Sequence, residues 1–406
     1  MSIAAITGVG VVAPNGLGTA EYWSATLNGT SGIDRITRFD ASSYPVQLAG
    51  EVSGFAAEAH LPSRLLPQTD HMTRMALVAA DWALADAAVQ PGEMPEFDMG
   101  VVTASASGGF EFGQRELENL WGRGPEYVSA YQSFAWFYAV NTGQISIRNG
   151  MRGPSGVLVS EQAGGLDALA HARRHLRKGT RLVLTGGVDS SLCPWGLTAQ
   201  IPSGLLSRST ERGRAYLPFD AAAQGYVPGE GGAILVMEEL EIAKAGCDRP
   251  IYGVLAGYAS TFDPPPRSGR QPRLRRAIEL ALSDAGVVAD DVDAVFADGA
   301  GVAELDRVEA AAISAVFGPY GVPVTVPKSM TGRLFSGGAA LDVVAALLSI
   351  RDGVLPPTVG TGRPAPEYQL DLVTGAARPG TVRTVLVLAR GYGGFNSAVV
   401  LTAPQV

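Results

Sequence analysis

The stretch VSEQAGG at residues 159–165 joins an apolar run to a helical pattern, and Gln162 lies at the junction. A turn from a buried strand into a helix N-terminus is where α/β enzymes often carry a nucleophile. The free N–H groups and the helix dipole at such a turn favour a thiolate or an oxyanion. Glutamine has no nucleophilic atom, so this position combines a catalytic setting with a side chain that forms no covalent intermediate.

Other side chains that commonly do chemistry are few. The chain has four histidines, none beyond residue 175, and two cysteines, Cys193 and Cys247. His171 and His175 are one helical turn apart, but basic residues surround them and no third ligand is near in sequence, which favours a solvated helix face over a metal site. The segment TGVGVVA at residues 7–13 matches a dinucleotide fingerprint only in its glycines and lacks the helix start and the acidic residue. We therefore expect no metal and no cofactor.

The composition is that of a globular protein with an acidic balance. The 406 residues are 46% hydrophobic and 17% charged, and the net charge is −8. An acidic protein is a poor match for nucleic acid, which is bound by basic surfaces. No apolar run reaches the roughly 18 residues of a membrane span, and the N-terminus lacks the basic region of a signal peptide. These features predict a cytoplasmic protein with no membrane partner.

Strand-like and helical patterns alternate along the chain, which predicts an α/β fold. The pattern restarts near residue 250, so we predict two halves, residues 1–250 and 251–406. Segments 164–179 and 336–353 resemble each other, since each has a glycine pair, a Leu-Asp pair and an apolar helix that ends at glycine. The main predicted helices and strands are helices at 70–88, 161–178, 271–285, 304–316 and 337–351, and strands at 3–6, 9–12, 100–103, 156–159, 181–185, 251–256, 292–297, 322–326 and 382–389.

Five separated motifs occur in one order along the chain. They are ITGVGVVAPNG (6–16), YLPFDAAAQGYVPGEGGAILVME (216–238), ADGAGVAELDRVEAAAI (297–313), PKSMTGRLFSGGAALDVV (327–344) and RGYGGFNSAVVL (390–401). Together they resemble the β-ketoacyl synthases over essentially the whole chain. The resemblance implies the thiolase fold, in which two similar α/β halves form a five-layered αβαβα architecture.

The resemblance also implies that the condensing residues are missing. The cysteine position holds Gln162, and the histidine positions of the A-H-G-T-x-T and K-x-x-x-G-H motifs hold Asp298 and Arg333. Lys328 alone is retained. We expect no catalytic residues for condensation, because an amide forms no thioester and the other two groups are an anion and a fixed cation. One interpretation of Asp298 and Arg333 is that they pair and fill an abandoned pocket.

With SEQAGG at the elbow, the chain resembles the chain length factors, or ketosynthase β subunits, of type II aromatic polyketide synthases. That resemblance implies a heterodimer with a catalytic ketosynthase α, which supplies the cysteine and histidines. It also implies that malonyl units are added to a polyketide on an acyl carrier protein. The growing chain extends into a tunnel at the subunit interface, whose length this subunit helps to set.

In the family, the region around residues 105–141 lines the tunnel. Phe110, Gly113 and Leu117 have i, i+3, i+7 spacing on one predicted helix face, and Phe134 lies in the aromatic run that follows. We predict that these four residues set chain length, with ordinary interface packing as the alternative. Because small side chains leave space that large ones fill, the product should have about ten ketide units or more rather than about eight.

Two other functions remain open at this point. Glutamine at the cysteine position also occurs in ketosynthase-like domains that decarboxylate malonyl groups to make a primer, so Gln162 could serve a malonyl-carrier-protein decarboxylase. Those domains keep both histidines, and this chain keeps neither. The second alternative is a purely stabilising partner, for which tunnel substitutions change the yield but never the product length. Whether the subunit has any enzymatic activity of its own stays open.

Overall fold

Strands and helices alternate along the chain as predicted. The computed structural model describes residues 3–245, 249–265 and 268–404, so Cys247 lies outside the described residues. The strands up to residue 245 are β1 (Ala4–Ala13), β2 (Gly16–Leu17), β3 (Ile33–Arg35), β4 (Leu48–Gly50), β5 (Met99–Ala104), β6 (Ser155–Leu158), β7 (Leu182–Asp189) and β8 (Gly231–Glu239). The α-helices in this part are α1 (Thr19–Leu27), α2 (His71–Asp86), α3 (Phe110–Gly122), α4 (Gln132–Ala135), α5 (Val140–Asn149), α6 (Gly164–Leu176), α7 (Pro194–Gln200) and α8 (Leu240–Ala245).

The second part of the chain repeats the alternation. Its strands are β9 (Gly253–Phe262), β10 (Ala294–Phe296), β11 (Pro323–Thr325), β12 (Val354–Leu355), β13 (Asp371–Leu372), β14 (Arg378–Pro379), β15 (Thr384–Gly391) and β16 (Phe395–Thr402). Its α-helices are α9 (Leu274–Ala285), α10 (Ala303–Phe317) and α11 (Ser336–Asp352). The predicted boundary near residue 250 lies between α8 and β9 and stays a prediction.

The two parts build sheets of the same design. The first has the strand order β6-β5-β7-β8-β1 and the second β13-β11-β10-β15-β16-β9. In each, two antiparallel pairings at one side give way to parallel pairings at the other. A short antiparallel pairing of β1 with β9, through Ala5 and Ile6, joins them into one continuous sheet. The two similar halves that the resemblance implied are therefore present.

Helices cover both sheets and fill the space between them. α2 packs on β1 and β8, and α9 packs on β9 and β16, each on an outer face. α6 and α11 pack against each other and contact strands of both sheets, so they form the central layer. The resulting order of helix, sheet, helix, sheet, helix is the predicted five-layered αβαβα architecture.

The glycine pair at the start of α6 lets the two central helices approach closely. A Cβ atom on Gly165 would lie 2.5 Å from the carbonyl oxygen of Ser336, at the start of α11. Real side chains do not tolerate such a contact with backbone, so only glycine fits here. The same packing brings the elbow before α6 next to the residues before α11, where the predicted site residues lie.

The glycines of the dinucleotide-like segment have a packing role. β1 runs unbroken from Ala4 to Ala13, so no helix starts within the segment. A Cβ on Gly10 would lie 1.9 Å from the carbonyl oxygen of Ala79, and one on Gly8 would lie 2.3 Å from that of Ala83. Both positions allow α2 to pack on the strand. Among the residues that the structure describes, no helix is both long and apolar enough to cross a bilayer.

Candidate functional site

The elbow that carries Gln162 joins a strand to a helix as predicted, but the strand lies at the edge of its sheet and is half-buried rather than buried. β6 ends at Leu158, a 3-10 turn covers Glu161–Ala163, and α6 begins at Gly164. Gln162 is buried, with 3% of its surface exposed. The side-chain amide nitrogen of Gln162 lies 3.4 Å from Oε1 of Glu161. The structure thus places a buried amide, without a nucleophile, in the 3-10 turn that leads into α6.

Asp298 and Arg333 form a buried ion pair. Arg333 Nη1 donates to Asp298 Oδ2 at 2.8 Å, and Arg333 Nη2 donates to the carbonyl oxygen of Arg390 at 2.9 Å. The backbone N–H of Arg390 donates to the other Asp298 oxygen at 3.1 Å. Burial opposes ionisation of Asp298, but the charges of Arg333 and Lys328 outweigh it and hold the pKa of this carboxyl below its usual value. Asp298 and Arg333 thus form a fixed charge pair at the two positions where histidines would transfer protons.

Lys328, the one retained residue, is also tied into the interior. Its Nζ lies 2.5 Å from Asp342 Oδ2 and donates to the carbonyl oxygen of Ala297 at 3.1 Å. Burial raises the pKa of Asp342 to about 6 despite the nearby ammonium group. Lys328 therefore holds the segment before Asp298 against α11, whose middle carries Asp342.

Two further buried carboxyl groups support the Asp298 segment. Glu309, on α10, accepts hydrogen bonds from the backbone N–H groups of Asp298 and Gly299 at 2.6 and 2.8 Å. Burial and the charge of Asp298 raise the pKa of Glu309 to about 7. Asp306 accepts from the N–H groups of Phe219 and Gly301 at 2.9 and 3.0 Å, and burial raises its pKa to about 7.

Glu161 makes contacts that the sequence did not indicate. Its Oε2 atom accepts hydrogen bonds from the backbone N–H of Gln162 at 2.8 Å and of Tyr392 at 2.7 Å. Burial raises the pKa of Glu161, and the charge of Arg333 works against that rise. Tyr392 belongs to the glycine-rich turn between β15 and β16, so this carboxylate links the elbow to that turn.

A cavity of about 620 Å³ opens next to these groups. Glu161, rather than Gln162, lines it together with the Asp298–Arg333 pair. Its other walls are largely apolar and include Leu205, Leu305 and Val308. The cavity therefore lies where a condensing enzyme would need its pocket, but a neutral amide stands at the nucleophile position and a charged pair, Asp298 and Arg333, at the two imidazole positions.

The predicted chain-length residues lie in a separate region, on and around α3. Gly113 packs against the indole of Trp195, because a Cβ at this position would be 3.0 Å from Cζ3 of that ring. Phe110 packs against the same indole with ring centroids 4.7 Å apart and ring planes tilted by 38°. Leu117, one turn further along, is 38% exposed. Phe134 lies on α4, which packs against α3.

The start of α3 is anchored to the core by charged groups. Asp70 caps α2 by accepting from the N–H of Met72 at 2.8 Å, and its other oxygen accepts from the N–H of Phe112 at 2.7 Å. Arg38 pairs with Glu111 on α3 and with the buried Glu230. The first turn of α3 is thereby fixed from outside the helix.

Large apolar side chains are exposed around α3, and we call this region the aromatic surface. Trp121 is 83% exposed, although aromatic side chains are normally well buried. The aromatic surface comprises Leu117, Trp121, Tyr127, Tyr131, Trp136, Phe137, Tyr138 and Trp195. Contiguous exposed apolar patches usually mark protein–protein contacts.

The histidine pair lies on a helix face that is only partly solvated, because both rings are half-buried and Arg173 between them is buried against Asp284. The rings of His171 and His175 stack with centroids 4.8 Å apart, and desolvation and neighbouring cations lower the pKa of each. Within the described ranges, no group of three or more His, Cys, Asp or Glu side chains is arranged to hold a metal ion. Cys193 is buried, and its sulfur accepts from the N–H of Gly196 at the start of α7.

Sequence reasoning missed Glu161, Tyr392 and Trp195. Glu161 stands in the quoted elbow motif and Tyr392 in the last of the five motifs, but nothing in their residue types signals that they meet. Trp195 follows Pro194 at the start of α7, and only the fold brings it to Gly113. Fold and site together define a ketosynthase-like protein that lacks the condensing residues.

Comparison with known proteins agrees with this class. The family model for the N-terminal domain of β-ketoacyl synthases matches residues 2–243, and that for the C-terminal domain matches residues 252–361. The chain belongs to the β-ketoacyl synthase family, and within it to the ketosynthase β, or chain length factor, subunits of type II polyketide synthases.

Individual relatives show how close this relationship is. The chain is 65% identical to the tetracenomycin polyketide synthase ketoacyl synthase beta subunit of Streptomyces glaucescens, over 98% of this chain and 97% of the relative. It is 64% identical to the actinorhodin polyketide β-ketoacyl synthase 2 of Streptomyces coelicolor, with the same coverage. The ishigamide ketosynthase/chain length factor structure matches with a TM-score of 0.91 at 28% identity, over 100% of both chains.

A second solved structure includes a carrier protein. It is described as a type II polyketide synthase acyl-carrier protein in complex with its ketosynthase bound to the hexaketide. This chain matches it with a TM-score of 0.87 at 27% identity, over 99% of this chain and 100% of that one.

Proposed function

We propose that this chain is the non-condensing subunit of a type II polyketide synthase. It pairs with a ketosynthase α and helps to set the length of the poly-β-ketone chain that is built from malonyl units on an acyl carrier protein. The observation that carries this proposal is the combination of an intact elbow without a nucleophile and an exposed aromatic surface around α3. The chain thus belongs to an acyltransferase complex without contributing a nucleophile to it, and we place it in the cytoplasm.

The aromatic surface supports the pairing. Leaving several tryptophan, tyrosine and phenylalanine rings in water is unfavourable, by about 25 cal/mol for each Å² of apolar surface. A partner subunit that covers them removes this cost, and aromatic side chains are enriched in the buried centres of interfaces. In this arrangement α3 lies at the subunit boundary, where a growing chain can pass between the two subunits.

The site chemistry supports the absence of condensation. A ketosynthase needs a thiolate and neutral imidazoles that move protons. Asp298 and Arg333 are locked in an ion pair, and an arginine stays protonated at any physiological pH. The same observations weaken the decarboxylase alternative, because Gln162 is buried beside Glu161 and the cavity is lined by Glu161 instead.

Co-expression with a type II ketosynthase α tests the proposal. We expect the two chains to copurify as a heterodimer, and polyketide to form from malonyl units on the carrier protein only when both are present. Polyketide formation by this chain alone would contradict the proposal. For the decarboxylase alternative, Gln162→Ala is the matching variant, and loss of acetyl-carrier-protein formation in it would favour that alternative.

A further inference from the structure

The backbone at Glu161 is held in an unusual conformation. Its φ of +53° lies in the left-handed region, where a side chain with a Cβ is disfavoured by roughly 1–2 kcal/mol. A non-glycine residue keeps such a conformation when its surroundings stabilise it. Here the conformation directs the carboxylate back over the elbow, where Oε2 receives two hydrogen bonds.

The two N–H groups that bind Oε2 come from separate segments and meet at one point. One belongs to Gln162, at the elbow, and the other to Tyr392, in the turn between β15 and β16. Two backbone N–H groups at 2.7–3.1 Å from a single oxygen position are the defining geometry of an oxyanion hole. The observed distances of 2.8 and 2.7 Å meet it.

We propose that this subunit retains an oxyanion site, formed by the N–H groups of Gln162 and Tyr392, and closes it with the carboxylate of Glu161. The inference deepens the proposed function and rests on it for the ligand class, which is the thioester carbonyl of a malonyl group. On this account, two features keep the subunit from acting on malonyl thioesters. One is the missing nucleophile, and the other is an oxyanion site that an internal anion fills.

The N–H groups are positioned by elements other than Glu161. β15 and β16 pair from Thr384–Thr402 to Gly391–Phe395, which fixes the turn that carries Tyr392. Gly391 lies so close to the elbow that a Cβ on it would be 2.5 Å from the carbonyl oxygen of Ser160. The site should therefore survive removal of the Glu161 side chain.

Other groups hold the carboxylate in place. The Gln162 amide lies 3.4 Å from the second carboxylate oxygen of Glu161, and the charge of Arg333 favours its ionised form. Glutamine at the former nucleophile position thus supports the group that closes the site. The cavity lined by Glu161, Asp298 and Arg333 gives a thioester space to reach the site once it is open.

The reaction that an open site would support is decarboxylation. The carbon–carbon bond to the malonyl carboxylate breaks, carbon dioxide leaves, and the electron pair moves onto the thioester oxygen as an enolate. The two N–H groups would stabilise that enolate oxygen, and a proton from water on the carbon would complete an acetyl thioester. No oxidant or reductant is needed.

The experiment compares three versions of the chain, each in complex with the same ketosynthase α. Glu161→Gly removes the carboxylate and suits the positive φ, whereas Glu161→Gln keeps an acceptor oxygen of the same reach. Crystals of each complex are soaked in malonate. We expect a malonate oxygen within about 3.2 Å of both N–H groups in the glycine variant, but not in the wild type or the glutamine variant.

A rate measurement accompanies the structures. With malonyl-carrier protein, the Glu161→Gly complex should form acetyl-carrier protein at least about ten-fold faster than the other two complexes, given the size of oxyanion-hole effects. An empty site at saturating malonate, or two N–H groups that move apart in the glycine variant, would overturn the inference. Failure of the wild-type chains to form a heterodimer would instead count against the proposed function.

Discussion

At the scale of single residues, the lost condensing groups have been replaced by an internally satisfied polar network. Gln162, Asp298 and Arg333 were identifiable from motif positions alone, and the sequence left open whether the last two pair. The structure shows a buried ion pair. Glu161 was not identifiable, because its contact with Tyr392 joins positions 231 residues apart.

The ion pair provides the first prediction. Arg333→Met leaves the Asp298 carboxylate buried without its partner, which should lower the free energy of unfolding by about 3–5 kcal/mol. The double variant Asp298→Asn with Arg333→Met should recover most of this loss, because neither position then carries an unpaired buried charge. Urea denaturation of the purified chain measures both. A loss below about 1 kcal/mol in the single variant would show that the pair is not energetically coupled to the fold.

The second residue-scale prediction concerns pH. The pKa of Asp306 is raised from 3.8 to about 7, so the folded state binds this proton more tightly than the unfolded state does. The stability contributed by the group is fully present below about pH 4 and declines as the pH rises towards 7. Replacing the Asp306 carboxyl should therefore make the free energy of unfolding depend less on pH.

The test is the free energy of unfolding at several pH values between 4 and 7. Asp306→Asn should lose stability overall, because its amide nitrogen accepts no hydrogen bond, but its stability should fall less with pH than that of the wild type. An unchanged slope would show that Asp306 is not the group that titrates.

At the scale of secondary structure, the periodic segments were predicted well. The predicted helix 337–351 is Ser336–Asp352, and the helix 304–316 is Ala303–Phe317. β8 and β16 were not among the predicted strands, since both lie inside stretches identified as motifs. β1 was predicted as two short strands, and the structure shows one strand whose register shifts between Ile6 and Gly8.

The anchoring of α3 leads to a third prediction. Asp70→Ala removes the carboxylate that holds the N–H of Phe112, so the first turn of α3 should loosen and the product lengths should become more varied. The lost cap should also cost about 0.5–2 kcal/mol of stability. Mass spectrometry of the polyketide from the reconstituted complex gives the length distribution.

A matched control lies at the other end of α2. Asp86 is partly buried and accepts from the N–H of Val9 at 2.8 Å, away from α3. Asp86→Ala should lower stability but leave the length distribution unchanged. An equally broadened product-length distribution in Asp70→Ala and Asp86→Ala would mean that general destabilisation, rather than the anchor of α3, controls product length.

At the scale of the whole molecule, the fold places two regions apart. One is the closed former active site between the halves, and the other is the aromatic surface around α3. The five-layered architecture followed from the resemblance of five motifs. The resemblance also implied that residues 105–141 lie at the subunit interface, but it did not show which aromatic side chains are exposed, because exposure depends on the tertiary packing of α3, α4 and α7.

The former active site and the aromatic surface have different roles. The former active site is filled by charges that hold one another, whereas the aromatic surface leaves apolar side chains for a partner. Phe110 and Gly113 pack on Trp195, and Leu117 continues the same helix face outward. A substitution at Leu117 should therefore reach the space between subunits without disturbing the interior, whereas even a small side chain at Gly113 would press on Trp195.

The central claim is that the face of α3 sets product length, and Leu117→Trp tests it most directly. Glu118→Trp adds the same bulk at the next exposed position, about 100° around the helix. Each variant is reconstituted with the same ketosynthase α and carrier protein, and the polyketides are measured by mass spectrometry. The account predicts products shorter by at least one malonyl unit for Leu117→Trp and wild-type length for Glu118→Trp. Wild-type length at normal yield from Leu117→Trp would contradict it.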